Sequence, residues 1–176
     1  MAVSFGIIGC GKIAQRHAEV IQSCGKLLCV ADIETEKAGS FGRKFSCGAY
    51  AGIEQLLEGN ERPDVISICT PNGVHAKHSI RCLDSGFHVI CEKPMALASA
   101  DAEEMITAAR INNRSLFIVK QNRFNPPVIA VENLLRSGSL GVVYSVQVNC
   151  FWNRPESYYR DSWRGTLELD GGILYT

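Results

Sequence analysis

Val3-Ser4-Phe5-Gly6-Ile7-Ile8-Gly9-Cys10-Gly11-Lys12-Ile13-Ala14 is the stretch on which the fold turns. Val3 to Ile8 is a short apolar run suited to a strand buried on both faces. Lys12 opens a helical pattern that runs to Cys24, with apolar side chains at Ile13, Val20, Ile21 and Cys24. Between strand and helix, Gly9, Gly11 and Ala14 fit the pattern G-x-G-x-x-[GA] where it has mechanical meaning. Gly9 permits the tight turn, Gly11 lets backbone come up against a pyrophosphate, and Ala14 lets helix and strand approach closely. The first helical turn, with Lys12 and Ile13, offers N–H groups and a positive dipole end to phosphates. Taken alone, an incidental glycine-rich turn would look the same.

Asp32 adds a second, independent feature. It ends the next apolar run, Leu27 to Ala31, 18 residues after Ala14, where a carboxylate accepts hydrogen bonds from both hydroxyls of an adenine ribose. The same charge repels a 2′-phosphate, and no arginine follows in Ile33-Glu34-Thr35-Glu36, which favours NAD over NADP. The competing reading is a carboxylate that caps the following helix, expected from about Glu34 to Lys44.

Outward from this unit, strands are expected at Val65–Cys69, His88–Cys91 and Leu116–Val119. Helices are expected from about Val74 to Asp84 and after Ser99, which can cap a helix bearing Asp101, Glu103 and Glu104 near its start. Continuous apolar strands alternating with helices predict a doubly wound α/β domain, a parallel sheet of order 3-2-1-4-5-6 covered on both faces. The pattern changes near residue 122. Asn125-Pro126-Pro127 reads as an N-cap with proline at the helix start, Val128, Val131, Leu134 and Leu135 form one stripe, and Gly138 can end it. Val142, Tyr144, Val146, Val148, Cys150 and Trp152 then alternate with polar residues, the period of an antiparallel strand with one buried face. One such strand is not stable alone. Two domains are therefore expected, a nucleotide-binding one at 1–122 and an incomplete α+β one at 123–176 whose unfinished sheet would promote homo-oligomers.

Ligands of an open α/β sheet lie beyond the carboxyl ends of its strands. Cys69-Thr70-Pro71-Asn72 stands at one such end and places Thr70 and Asn72 toward the nicotinamide half of a cofactor, although an ordinary Pro-Asn-Gly turn has the same composition. His75 and His78 lie three apart on the following helix; lacking a third ligand nearby, they suit solvent or cofactor-phosphate contacts better than a metal, and no metal is expected. Glu92-Lys93-Pro94 stands at the next strand end, where Lys93 can hydrogen-bond a substrate hydroxyl and steady developing alkoxide charge. Without its context, this tripeptide would be a surface loop.

Composition sets outer limits. The 176 residues carry 18 basic and 18 acidic groups, so no global field draws the chain to nucleic acid or an anionic membrane. The 46% apolar content is that of a globular protein, and no run is long enough to span a bilayer. The first residues lack a basic segment, so no signal peptide is expected, and a cytoplasmic location is. The eight cysteines include no C-x-x-C pair and read as reduced, mostly buried thiols.

Gly6 to Ala14, Asp32, Cys69-Thr70-Pro71-Asn72 with His75, and Glu92-Lys93-Pro94 together resemble, in order and spacing, the glucose–fructose oxidoreductase, inositol dehydrogenase and rhizopine-catabolism (Gfo/Idh/MocA) oxidoreductase family. The resemblance implies a Rossmann domain that holds NAD, with Lys93 as the catalytic lysine beside the nicotinamide and Glu92 and Gln121 also near the cofactor. It implies that Gln121-Asn122-Arg123-Phe124-Asn125-Pro126 is the entrance to the second domain, with Asn122 and Arg123 at the substrate. Phe151 to Tyr159 and Ser162-Trp163-Arg164-Gly165-Thr166 resemble the branch that oxidises C3 of UDP-N-acetyl-glucosaminuronic acid for surface-polysaccharide synthesis. That likeness places Asn153, Arg154, Tyr159, Trp163 and Arg164 at a sugar nucleotide: arginines suit a diphosphate or carboxylate, and aromatic faces suit sugar or uracil. A departure accompanies it. The family's catalytic histidine follows the Asp170-Gly171-Gly172 turn in an Asp-x-x-x-His pattern, Thr176 stands where that Asp belongs, and the histidine would fall past the last residue. The expected parent activity is NAD-dependent oxidation of a sugar hydroxyl. The alternatives are another sugar or inositol as substrate, or a catalytically silent NAD-binding module.

Overall fold

The computed structural model describes residues 2–160 and 162–172. Strands β1 (Ser4–Ile8), β2 (Lys26–Ala31), β3 (Gly48–Tyr50), β4 (Val65–Ile68), β5 (His88–Cys91) and β6 (Leu116–Ile118) form one sheet in the order β3-β2-β1-β4-β5-β6. Every neighbouring pair is parallel. The helices are α1 (Lys12–Cys24), α2 (Thr35–Phe45), α3 (Ile53–Glu58), α4 (His75–Asp84), α5 (Ser99–Ile111) and α6 (Pro126–Arg136). The order reverses at β1 and β4, so connections diverge above their carboxyl ends and leave a crevice there.

Side-chain alternation sends the strands' apolar residues to two separate cores. Ile7 and Val30 join Ala14, Ala18, Ile21, Ala38, Phe41 and Phe45 beneath α1 and α2. Ile8, Cys29, Ala31, Ile66, Ile68, Val89 and Cys91 join Leu56, Leu57, Leu83 and Met105 beneath α3, α4 and α5. Burial on both faces is why these strands read as unbroken apolar runs.

Helix α1 does not bury the stripe its larger residues suggest. Ile13 and Val20 are exposed, as is Cys24, and the buried face is Ala14, Ala18 and Ile21. The small alanines let α1 lie close to the sheet beside the glycine turn, so bulk is excluded where the contact is tightest. Ser99 is not the cap of α5: Ala98 holds that position without a side-chain hydrogen bond, Ser99 is the first helical residue, and Asp101 complements the dipole in the first turn. Asn125 does stand at the N-cap of α6, ahead of the prolines.

The chain divides into two compact units, Met1–Val119 with Trp163–Thr176, and Lys120–Ser162. The second unit holds α6 and a short 3₁₀ turn at Glu156–Tyr158. The antiparallel strand expected from Val142 to Trp152 does not form: among the described residues this stretch has no ladder partner, and Val146 and Val148 are 78% and 82% exposed. An alternating segment becomes a strand only when a neighbour takes its N–H and C=O groups, and none is at hand. Among the described residues no helix is long and apolar enough to cross a membrane.

Candidate cofactor and active site

Gly9 has φ of +92°, and a Cβ there would stand 2.7 Å from the Cys69 carbonyl oxygen, so the turn out of β1 tolerates no side chain. Gly11, at the N-cap of α1, is the opposite case: nothing lies within 4 Å of where its Cβ would be. That open cradle faces a helix start that carries no acidic residue in its first turn, the arrangement a pyrophosphate requires. Lys12 and Ile13 are exposed there, and Ala14 is fully buried against the sheet.

Asp32 follows β2 and joins this turn directly. Its Oδ2 accepts the Cys10 N–H at 2.7 Å, and its Oδ1 accepts the Glu34 N–H at 2.8 Å. The capping reading of Asp32 is not what forms: Glu34 holds the N-cap of α2, while one Asp32 oxygen holds the local turn ahead of it and the other ties the strand end to the glycine loop. A carboxylate has about four acceptor sites, so lone pairs remain for ribose hydroxyls. Burial, and then the Asp32 charge, push the Cys10 thiol up to about 12, which keeps it protonated and inert beside the loop.

At the carboxyl ends of β4 and β5 the polar side chains are mutually engaged. Glu92 is 7% exposed; its Oε1 lies 2.8 Å from His17 Nε2, and its Oε2 accepts the Lys93 N–H at 3.2 Å. His75 is buried, with Nδ1 2.7 Å from the Pro94 carbonyl and Nε2 2.8 Å from the Thr70 carbonyl. It therefore ties the Thr70 loop to the Lys93-Pro94 loop from below, and both its nitrogens are occupied by backbone. His78 Nδ1 lies 3.2 Å from Thr70 Oγ1, and burial, with Lys77 and His75 nearby, holds its imidazole below the usual range. Lys93 is half-buried at the end of β5. Asn72 is buried and donates from Nδ2 to the backbone and side-chain oxygens of Asp170, at 3.0 and 3.2 Å.

Residues 3–120 match the Gfo/Idh/MocA oxidoreductase family, NAD-binding Rossmann fold. The chain belongs to this family. Relatives within it include glucose-6-phosphate 3-dehydrogenase of Bacillus subtilis, 30% identical over 90% of this chain and 45% of the relative. Another is dTDP-3,4-didehydro-2,6-dideoxy-alpha-D-glucose 3-reductase of Streptomyces violaceoruber, 32% identical over 98% of this chain and 50% of the relative. Among solved structures, the WlbA dehydrogenase of Chromobacterium violaceum, in complex with NADH and UDP-GlcNAcA, matches at 35% identity and a TM-score of 0.92, over 96% of this chain and 50% of that one. The Bordetella pertussis WlbA dehydrogenase, with the same two ligands, matches at 32% identity and a TM-score of 0.96, over 100% of this chain and 55% of that one. The chain spans about half the length of these relatives.

The residues assigned to substrate by this family's pattern, and Gln121, assigned to the cofactor, fall in both units. Gln121, Asn122 and Arg123 occupy an exposed 3₁₀ turn of the second unit, where Asn122 Oδ1 accepts from Asn125 Nδ2 at 3.3 Å. Asn153 and Arg154 are exposed there too; the Arg154 guanidinium stacks over Trp152 at 4.4 Å and Tyr158 at 4.7 Å, and Tyr159 meets Tyr158 edge-on at 5.1 Å. Trp163 and Arg164, stacked at 4.9 Å, belong to the first unit. Sequence reasoning missed His17 and gave Asp170 no role of its own. His17 had a usable signal, since it falls on the helix flank near Ala14; Asp170 had none, because its partner is 98 positions away.

Proposed function

We propose that this chain forms the NAD-holding part of a dehydrogenase that oxidises a sugar secondary hydroxyl, with C3 of UDP-N-acetyl-glucosaminuronic acid as the position attacked, in surface-polysaccharide synthesis. The observation that carries the cofactor reading is the bond from the Cys10 N–H to Asp32 Oδ2, at 2.7 Å, which brings the phosphate turn and the ribose-reading carboxylate together. The sugar reading is supported by likeness to the two WlbA dehydrogenases, both bound to NADH and UDP-GlcNAcA. Domain limits at 1–122 and 123–176, and a homo-oligomer built through the second domain's sheet, belong to the same proposal. A cytoplasmic location fits eight cysteines that are all free, five of them buried.

NAD, when bound, supplies the hydride acceptor. Gly9, Gly11 and the first amides of α1 would hold its pyrophosphate, with Lys12 and Ile13 beside it. Asp32 takes the adenine ribose and turns away a 2′-phosphate. Thr70 would meet the nicotinamide half; His75 lies at the Thr70 carbonyl and Glu92 accepts the Lys93 N–H, which fixes the backbone on which Thr70 and Lys93 stand. The Lys93 ammonium donates to the reacting oxygen, where negative charge grows as hydride leaves the carbon. The hydroxyl proton goes to a separate base, for which the family resemblance implies a histidine, and turnover is proposed for the full-length protein.

The test measures NADH and NADPH binding by fluorescence, then NADH formation from NAD with UDP-GlcNAcA, glucose 6-phosphate or inositol. NADH should bind more tightly than NADPH, and Asp32→Ala should weaken NADH about 30-fold, the worth of roughly 2 kcal/mol of hydrogen bonds to a charged group. Lys93→Met should abolish turnover and spare NADH affinity. Turnover with only a free sugar or inositol would reassign the substrate, and NADH binding without turnover of any of them in the full-length protein would leave a silent module.

A further inference from the structure

Residues 163–172 fold back onto the loop that follows β4, and buried polar groups make the contact. Asn72 and Asp170 are 7% and 4% exposed, 98 positions apart in sequence, and joined by two hydrogen bonds from Asn72 Nδ2. The other Asp170 oxygen, Oδ2, accepts the Gly165 N–H at 2.7 Å, which closes the segment on itself next to Trp163 and Arg164. The Gly73 N–H donates to the Leu169 carbonyl at 3.0 Å. At Gly73 the two backbones approach so closely that a Cβ would stand 1.9 Å from the Glu168 carbonyl oxygen. A buried carboxylate with both oxygens engaged, on a contact that admits only glycine, is a built joint between two distant stretches of chain.

The joint also reassigns Asn72. With its amide N–H groups committed to Asp170, that side chain has only its carbonyl oxygen left to offer a cofactor. We propose that Asn72 and Asp170 are a positioning pair which docks the segment bearing Trp163 and Arg164 onto the cofactor loop, so that Asn72 serves the placement of the sugar nucleotide rather than the binding of NAD. This rests on the reading of the protein as a sugar-nucleotide dehydrogenase. Asp170 acts through the segment it holds; neither residue is a catalytic group.

The chemistry of the pair supplies its own test. Asp170→Asn is isosteric, yet its new NH₂ must face either the Asn72 NH₂ or the Gly165 N–H, so a donor meets a donor in both orientations. In the double variant Asn72→Asp/Asp170→Asn, the new amide can place its oxygen on Gly165 and its NH₂ on the new carboxylate, while the bond to the residue 170 carbonyl is lost, so the repair is partial. In the full-length protein, Asp170→Asn should raise KM for UDP-GlcNAcA about tenfold or more while the NADH Kd stays within about threefold, and the double variant should recover part of that loss. Exchange of the Gly165 amide, followed by NMR, should quicken about tenfold in Asp170→Asn and slow again in the double variant. A KM that does not move, or an NADH Kd that rises in step with it, overturns the positioning role. If the wild-type protein does not turn over UDP-GlcNAcA, the functional reading fails and the positioning role with it. The exchange data then still judge the joint itself, which an unchanged Gly165 amide would overturn.

Discussion

Gly9 and Gly11 stand two positions apart and need glycine for different reasons, which makes them separable by experiment. At Gly9 the backbone is left-handed and a Cβ would collide with the peptide between Cys69 and Thr70. Gly9→Ala should therefore cost about 2–4 kcal/mol of fold stability, seen as a fall in the urea midpoint, and NADH binding should fail with it. At Gly11 the added methyl meets open space, so Gly11→Ala should melt like the wild type and still bind NADH about tenfold or more weakly, because the methyl occupies the phosphate's place. Equal damage to the melting of both variants would contradict this division. His78 gives a pH prediction at the same scale. Its imidazole is held below the ordinary 6.5 by burial, so on acidification the unfolded chain takes up the proton first. Stability should thus fall as pH drops from about 6.5 toward the lower folded value, and His78→Asn should flatten that slope. Urea titrations at several pH values would read it; a slope unchanged in the variant would assign the acid sensitivity elsewhere.

Helix α1 shows what a sequence pattern does and does not reveal about an element. Its limits, Lys12 to Cys24, were legible from the glycine turn before it and the periodicity within it. Its buried face was not, because hydrophobic weight falls on Ile13 and Val20 while the sheet accepts only Ala14, Ala18 and Ile21. Substituting Ala18, which is fully buried, by Leu should cost about 2 kcal/mol through overpacking and lower Tm by roughly 5 °C. Val20→Ala, at a position 62% exposed, should stay within about 0.5 kcal/mol. The reverse ranking would mean that α1 is rotated from the orientation described. The parallel order of the sheet was equally legible, since each buried strand announced itself as an apolar run. Strand β3 and helix α3 were not placed: Gly48-Ala49-Tyr50 is no apolar run, unlike the equally short Leu116-Phe117-Ile118, and α3 has six residues, too few to show a period. The candidate site divides in the same way. The glycine turn, Asp32 and Lys93 are local signals at strand ends, whereas His17–Glu92 and Asn72–Asp170 are meetings across 75 and 98 positions that no local pattern encodes.

At the scale of the whole molecule, the two units differ in how they hold their apolar residues. The first unit builds two cores, one on each face of the sheet. In the second, Val131, Leu134 and Leu135 of α6 are 53%, 45% and 51% exposed, and Tyr144, Val146 and Val148 are 92%, 78% and 82% exposed. The stretch from Val142 to Trp152 has alternating apolar side chains and, among the described residues, no ladder partner for its backbone groups. Those two features make a template for edge-to-edge pairing, and the occupant they suit is the same stretch of a second copy. Sedimentation velocity should accordingly show the weight-average coefficient of this 176-residue chain rising with concentration. Val146→Lys/Val148→Lys should suppress that rise, because a charge on each would have to be buried at the paired edge. NADH affinity should be untouched, since the glycine turn and Asp32 lie in the other unit. A wild-type chain that stays monomeric at every concentration would show that these side chains do not drive association, and the apolar alternation would then need a different partner than its own copy.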